Sequence, residues 1–315
     1  MNQSRMLTEG AIFSAIFIAL MLTTFVPVLQ FFATILLPIP FVLFASRHGI
    51  KPGLLVLTVT SLLTIIFFTI LSLPLTLLAG AGGLLIGHAI YKKRTAYETW
   101  ALGVLGFVVG LLFSVAFMQL MLNVNFISEI ETMATQQMDA YISIINSVGL
   151  TDANLDVNLE EMLAAQIKIM MELVPAFLAL SAVFLAFLVQ WVSYKILNRI
   201  DKQEYRFPPF RSLRLPASII WLYLLVIIVS FFNLDPASMF YTGVQNALFI
   251  LEMLLVIQGF AFIFFLAHYK KMSKAIPILS IVLTVLFPMI LLYFVRILGI
   301  IDIGLNLRDR LNKKK

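Results

Sequence analysis

Three observations predict an all-α fold, a polytopic bundle of eight or nine transmembrane helices. Long apolar runs recur along nearly the whole chain, each near the ~20 residues that a helix needs to cross about 30 Å of hydrocarbon. The chain is 61% hydrophobic and 12% charged, with 28 phenylalanines, whereas a soluble domain carries about 25% charged residues. Nearly all Lys and Arg residues fall in the gaps on one side of the runs, the bias that marks cytoplasmic loops. In lipid every backbone polar group must bond within its own segment or a closed barrel, and continuous rather than alternating apolar runs select helices.

Ala11 to Leu29 is the first span, read as a retained helix because only Arg5 precedes it and no small-residue cleavage site follows. Phe31 to Ala45 returns after a tight connection, broken or tilted by Pro38 and Pro40. Gly53 to Leu71 and Leu75 to Tyr91 are joined at Ser72-Leu73-Pro74, and Trp100 to Leu122 is the fifth span. A polar interval covers 123–172, with two amphipathic helices expected from about Ile127 to Ser147 and Leu159 to Met171 around a turn at Gly149 to Asn158. Its apolar faces suit either a lid over an outward cavity or packing on the headgroups. Leu173 to Leu197, Pro216 to Phe232, Val244 to His268 and Ile276 to about Leu298 complete nine runs.

Charge orients them. Arg5, Arg47, Lys51, Lys92 to Arg94, the series from Lys195 to Arg214, and Lys270, Lys271 and Lys274 lie on one side, which the positive-inside rule makes the cytoplasm. Glu129, Glu131, Asp139, Asp152, Asp156, Glu160, Glu161 and Glu172, with Lys168 alone against them, lie on the other. The expectation is a multi-pass plasma-membrane protein with a cytoplasmic N-terminus. Nine full crossings would place the basic tail Arg308 to Lys315 outside, against the same rule, so either the second or ninth run is re-entrant or the tail is an exception.

Several chemistries have no residues to carry them. Without cysteine there is no disulfide, thiolate metal site or Cys nucleophile. The three histidines, His48, His88 and His268, form no metal-ligand spacing, and neither a nucleophile elbow nor a phosphate-binding loop occurs. The chain is therefore read as not an enzyme, with no cofactor and no metal. Its net charge of +6 is spread over separate patches rather than a nucleic-acid module, so the partner it implies is the lipid bilayer.

The residues left for function are few. Ala11, Ala15 and Ala19 form a small-residue stripe with Gly10 and Ser14 beside it, a face along which two helices can approach closely, either within the protein or with a membrane partner. Gly83 with Gly87 and Gly106 with Gly110 repeat that spacing inside the bundle. Glu252 sits in an apolar run where a charge costs at least about 2.5 kcal/mol unless paired or wet, and Arg296 is the basic residue that can reach it. A structural ion pair and a ligand, cation or proton site both fit Glu252. Gln119, Asn123, Asn125, Gln245 and Asn246 cluster at outer helix ends, where they suit either solute binding or interfacial solvation.

The first six spans resemble the substrate-binding S-component of energy-coupling-factor vitamin transporters. The likeness rests on the six-helix layout with both ends inside, the Ala11-Ala15-Ala19 stripe, Pro38-Ile39-Pro40 after a tight outer loop, and Gly49-Ile50-Lys51-Pro52-Gly53. As a whole the chain is similar to the YybS-like family of predicted bacterial membrane proteins. The S-component resemblance implies a six-helix unit over 1–198, followed by 199–315 with a basic loop, further helices and a basic tail. It implies that the alanine stripe docks a membrane coupling subunit driven by ATPases, and that Gln119, Asn123 and Asn125 lie near a small-molecule ligand; Asn246 and Glu252, beyond the six-span unit, are substrate-binding candidates from their own positions. The alternative is a structural or regulatory membrane protein that docks a partner through its cytoplasmic loops.

Overall fold

A computed structural model describes residues 3–147, 153–236 and 238–312; Asp152 and the side chains of Asp156 and Glu160, used above for orientation, lie outside the described residues. Every described regular element is helical. Two compact units emerge, one from residues 1–167 with 177–207 and the other from 168–176 with 208–315. Seven helical runs are long and apolar enough to cross a bilayer: Gln3–Thr23, Pro27–His48, Ile50–Phe67, Ile70–Tyr91, Ala96–Leu122, Val174–Ile200 and Met239–Tyr269.

The first unit is built on α1 (Gln3–Thr23), α2 (Pro27–Leu36), α3 (Ile39–His48), α4 (Ile50–Phe67), α5 (Leu73–Tyr91), α6 (Ala96–Leu122), α7 (Phe126–Ser147), most of α8 (Ala153–Glu172) and all but the first turn of α9 (Val174–Ile200). Proline removes a backbone donor and crowds the preceding turn, and the second run is accordingly interrupted at Leu37–Pro38. Gly49, at φ 82°, takes the left-handed turn between α3 and α4 that a side chain would strain. The outer segment differs from expectation in one place: α8 begins at Ala153, six residues before Leu159, because the polar stretch Ala153 to Asn158 joins the helix instead of forming the turn.

Close backbone approach sets the packing of this unit. A Cβ on Gly83 or Gly87 would strike the Pro38 or Val42 carbonyl of α3, and one on Gly106 would strike the Ala81 carbonyl of α5. The glycines that weaken α5 as an isolated helix thus let three helices meet at backbone distance, where dispersion replaces the hydrophobic effect. Phe17, Phe41, Phe44 and Phe107 fill the core, all essentially inaccessible. A ladder of hydroxyls crosses it: Thr60 donates to Ser14 at 2.9 Å and Thr76 to Thr64 at 3.1 Å.

The second unit contains α10 (Ser218–Ser230), α11 (Met239–Tyr269), α12 (Ala275–Leu286), α13 (Pro288–Gly304) and the short α14 (Leu307–Asn312). Here the ninth run is corrected. It is two helices, because Pro288 cannot continue the hydrogen-bond ladder and Phe287 turns out of helical geometry (φ −126°, ψ 60°). Contacts between α11 and α13 rise together in number: Leu255 with Gly299, Gln258 with Asp302, then Tyr269 with Leu311 beyond α13. The two helices are parallel, so α12 returns toward the start of α13 and the pair forms a hairpin. At 12 residues α12 is about 18 Å long, short of the ~30 Å core.

That hairpin brings the tail to the end of the unit that holds the basic loops. Arg308 donates from Nη1 to the carbonyls of Arg211 and Leu213 at 2.7 and 2.9 Å, and Arg214 pairs with Asp309 at 2.8 Å. With the ninth run folded as a hairpin, the basic tail lies at the same end of the second unit as the loop from Arg211 to Arg214.

Candidate functional site

Glu252 is more central than the sequence suggested. Ser238 caps α11 by accepting from the Tyr241 amide at 3.1 Å, so the helix starts at Met239 and Glu252 lies near its middle, thirteen residues on. Arg296 of α13 forms an ion pair with it, and the guanidinium lies over the Tyr293 ring, 4.8 Å from the centroid. Tyr223 of α10 donates its hydroxyl to Glu252 Oε1 at 3.3 Å. The pair is not sealed: the Glu252 side chain is 31% exposed and that of Arg296 17%, in a groove walled by Phe249, Met253, Pro288, Met289 and Leu292. One cation, one anion and the Tyr293 phenol thus share an otherwise apolar groove, with the Tyr223 hydroxyl on the same carboxylate, an arrangement that can hold water or a polar group at membrane depth.

A second polar centre was not anticipated. Asp302 and Arg308, each 3% exposed at the side chain, make a two-pronged pair, Nε to Oδ1 at 3.1 Å and Nη2 to Oδ2 at 2.7 Å. Gln258 of α11 donates to Asp302 and accepts the Leu215 amide at 3.0 Å. With the two carbonyls that Arg308 also binds, this knot ties the segment before α10 to α11 and the end of α13. A lone Asp among Ile300, Ile301 and Ile303 was the available signal.

The other expected residues are exposed or engaged locally. Asn125 accepts the Ile127 amide at 3.0 Å as the cap of α7, and Asn123 takes the left-handed conformation (φ 52°) that ends α6. Both are exposed, as is Gln119. Asn246 is buried in the second unit and engaged structurally: it accepts the Ala176 amide and donates to the Glu172 and Thr242 carbonyls, each at 2.7 Å. Gln119, Asn123 and Asn125 belong to one unit, Asn246 and Glu252 to the other.

On α1 the two stripes separate. Gly10 and Ser14 are buried, Gly10 against Val56 and Phe44, whereas Ala11, Ala15 and Ala19 are exposed. At the basic end of that helix, Glu9 pairs with His48 at 2.9 Å, and Arg47 joins α3 to Asp201 at 2.8 Å. Among the described residues no three His, Asp or Glu side chains converge in a way that would hold a metal ion.

No solved structure matches the chain. It is 29% identical over 311 residues, 98% of this chain and 99% of the relative, to the Bacillus subtilis (strain 168) protein YybS, which is described as uncharacterized. A family model for predicted membrane proteins, DUF2232, matches residues 11–303. With that model spanning nearly the whole sequence and a multi-helix architecture suited to lipid, the chain belongs to the DUF2232 family of predicted membrane proteins.

Proposed function

We propose that this integral membrane protein is the recognition subunit of a larger membrane assembly, similar to the S-component of an energy-coupling-factor uptake system, and has no ATPase of its own. The observation that carries the reading is the division of α1. Its Gly10 and Ser14 stripe is consumed by packing inside the protein, while Ala11, Ala15 and Ala19 stay exposed along the adjoining stripe. A ridge of small side chains admits a second helix at close range. On this reading the partner is a multi-span coupling subunit served by separate ATPases, and the cargo is a small solute.

One observation favours the alternative, a structural or regulatory protein that docks a partner without carrying solute. Asn123 and Asn125 end or cap helices, and Asn246 is fully engaged by backbone groups. The experiment is Ala15→Trp in the native membrane. Loss of a co-purifying coupling subunit and its ATPases, with the variant still folded, is the expected result. Retention of every partner would remove the docking role of α1, and a partner set without ATPases would select the alternative.

A further inference from the structure

A groove in the first unit runs between α1 and α4, lined by Met6, Gly10, Ala11, Phe44, Leu55 and Val59 among others. Its floor offers no free polar group. Ser14 is the one hydroxyl there, and it already accepts from Thr60. A polar solute therefore gains nothing in this groove. From Met6 to Ser14 the groove follows about 12 Å of helix, most of one leaflet's hydrocarbon depth of about 15 Å.

Its mouth is different. Lys51 immediately precedes Pro52, and Arg5 immediately precedes Met6, both groove-lining positions. Lys51 is exposed and forms no ion pair among the described residues, while the Arg5 side chain is 82% exposed and shares Glu9 with His48 and Arg47. Glu9 and Asp201 offset two of the three cations Arg5, Arg47 and Lys51, which leaves the mouth of the groove positive. A basic side chain near the headgroups favours anionic lipid.

We propose that the α1/α4 groove is a binding site for one anionic phospholipid, an acyl chain lying along Ala11, Leu55 and Val59 and the phosphate between Arg5 and Lys51. The complementarity is twofold: a dry channel of chain-like length and a cationic rim at one end. A second protein helix would satisfy the channel but leave the cations unmatched. The groove shares Ala11 with the docking stripe of the proposed function, but it is tested on the purified chain alone, so the two readings fail separately.

The test uses the absence of native cysteine. Leu54→Cys, exposed beside the groove, is labelled with bimane in nanodiscs of phosphatidylglycerol and phosphatidylcholine, and quenching by brominated chains of each lipid is compared. Leu112→Cys, on the exposed face of α6, is the reference position. Phosphatidylglycerol is expected to associate at Leu54 about fivefold more strongly than at the reference position, the ratio that one well-placed basic residue supplies. The preference should vanish in Arg5→Gln with Lys51→Gln; should that pair fail to fold, Lys51→Gln alone must reduce it. Equal quenching by the two lipids, quenching by neither, or a preference unchanged by Lys51→Gln would overturn the proposal.

Discussion

The two compact units solve the same solvent problem in different ways. In the first, helices approach backbone to backbone through Gly83, Gly87 and Gly106, and the core is a continuous apolar cluster crossed by neutral polar groups, chiefly hydroxyls and the Gln190 amide. In the second, the apolar cluster is small, centred on Val226, Val244 and Leu251, and much of the cross-linking passes through charged groups. Gly259 and Gly299 still bring α11 and α13 together at backbone distance, with ion pairs above and below their crossing. A closely packed apolar interior tolerates small shifts gradually, whereas a buried charge loses its compensation all at once when a partner leaves. The first unit should therefore yield gradually to substitution and the second abruptly.

The largest effect is expected at the buried knot. Arg308→Met leaves the Asp302 carboxyl group without its cation and frees two carbonyls, a loss of about 3–5 kcal/mol, read as a large drop in the thermal midpoint of the detergent-solubilised protein. Adding Asp302→Leu should restore much of it. A drop corresponding to less than about 1 kcal/mol for Arg308→Met would show that charge does not hold the second unit together.

A smaller effect is expected at the half-open pair. Glu252→Gln strands Arg296, and Arg296→Met strands Glu252, but partial exposure discounts the attraction. A double-mutant cycle should return a coupling of about 1 kcal/mol, within the range for contacting charges. Simple additivity would mean that the two side chains do not act on one another, and Glu252 would stand as a group kept for a ligand or proton.

The smallest effect belongs to Tyr205, in the loop after α9. Burial, followed by the Asp201 charge, pushes its phenol above the usual range. The unfolded chain then ionises first as the solution becomes alkaline, so the contribution is present below the ordinary phenol pKa and is lost as pH rises through the folded one. Tyr205→Phe should lose less of its thermal midpoint than wild type between about pH 10 and pH 11. Parallel curves would place the alkaline sensitivity elsewhere.

Much of the helical layout was legible because lipid imposes a length and a polarity on every span. Pro38 and Pro40 announced the break in the second run, and the alanine stripe was visible as a stripe. Which of the two stripes on α1 turns outward was not, since that depends on Phe44 and Val56 receiving Gly10. Pro288 does not by itself reveal a break, because Ile276 to Leu298 has the length and composition of one span, and only the pairing of α13 with α11 shows it to be two short helices. Asp302 and Arg308 stand six residues apart and meet only because the chain turns at Leu305 and Asn306 (φ 46°). The paired charge at Glu252 could be read from its cost in lipid; the helix-ending and capping roles of Asn123 and Asn125 could not, because an asparagine at a helix end serves a ligand and a terminus equally well.

The hairpin of α12 and α13 also constrains how the chain is made. An insertion machinery that releases helices sideways into lipid needs each one long enough to reach both headgroup layers, and α12 is not. Its interrupted backbone at Phe287 and Pro288 would expose peptide groups to hydrocarbon if it entered alone. The last forty or so residues must therefore wait until α11 is in place and fold onto it as a single closing step, completed when Arg308, nearly the last residue described, seats beneath the loop that precedes α10. A ribosome that stopped short of Arg308 would release a chain with all its long helices inserted and its final joint open.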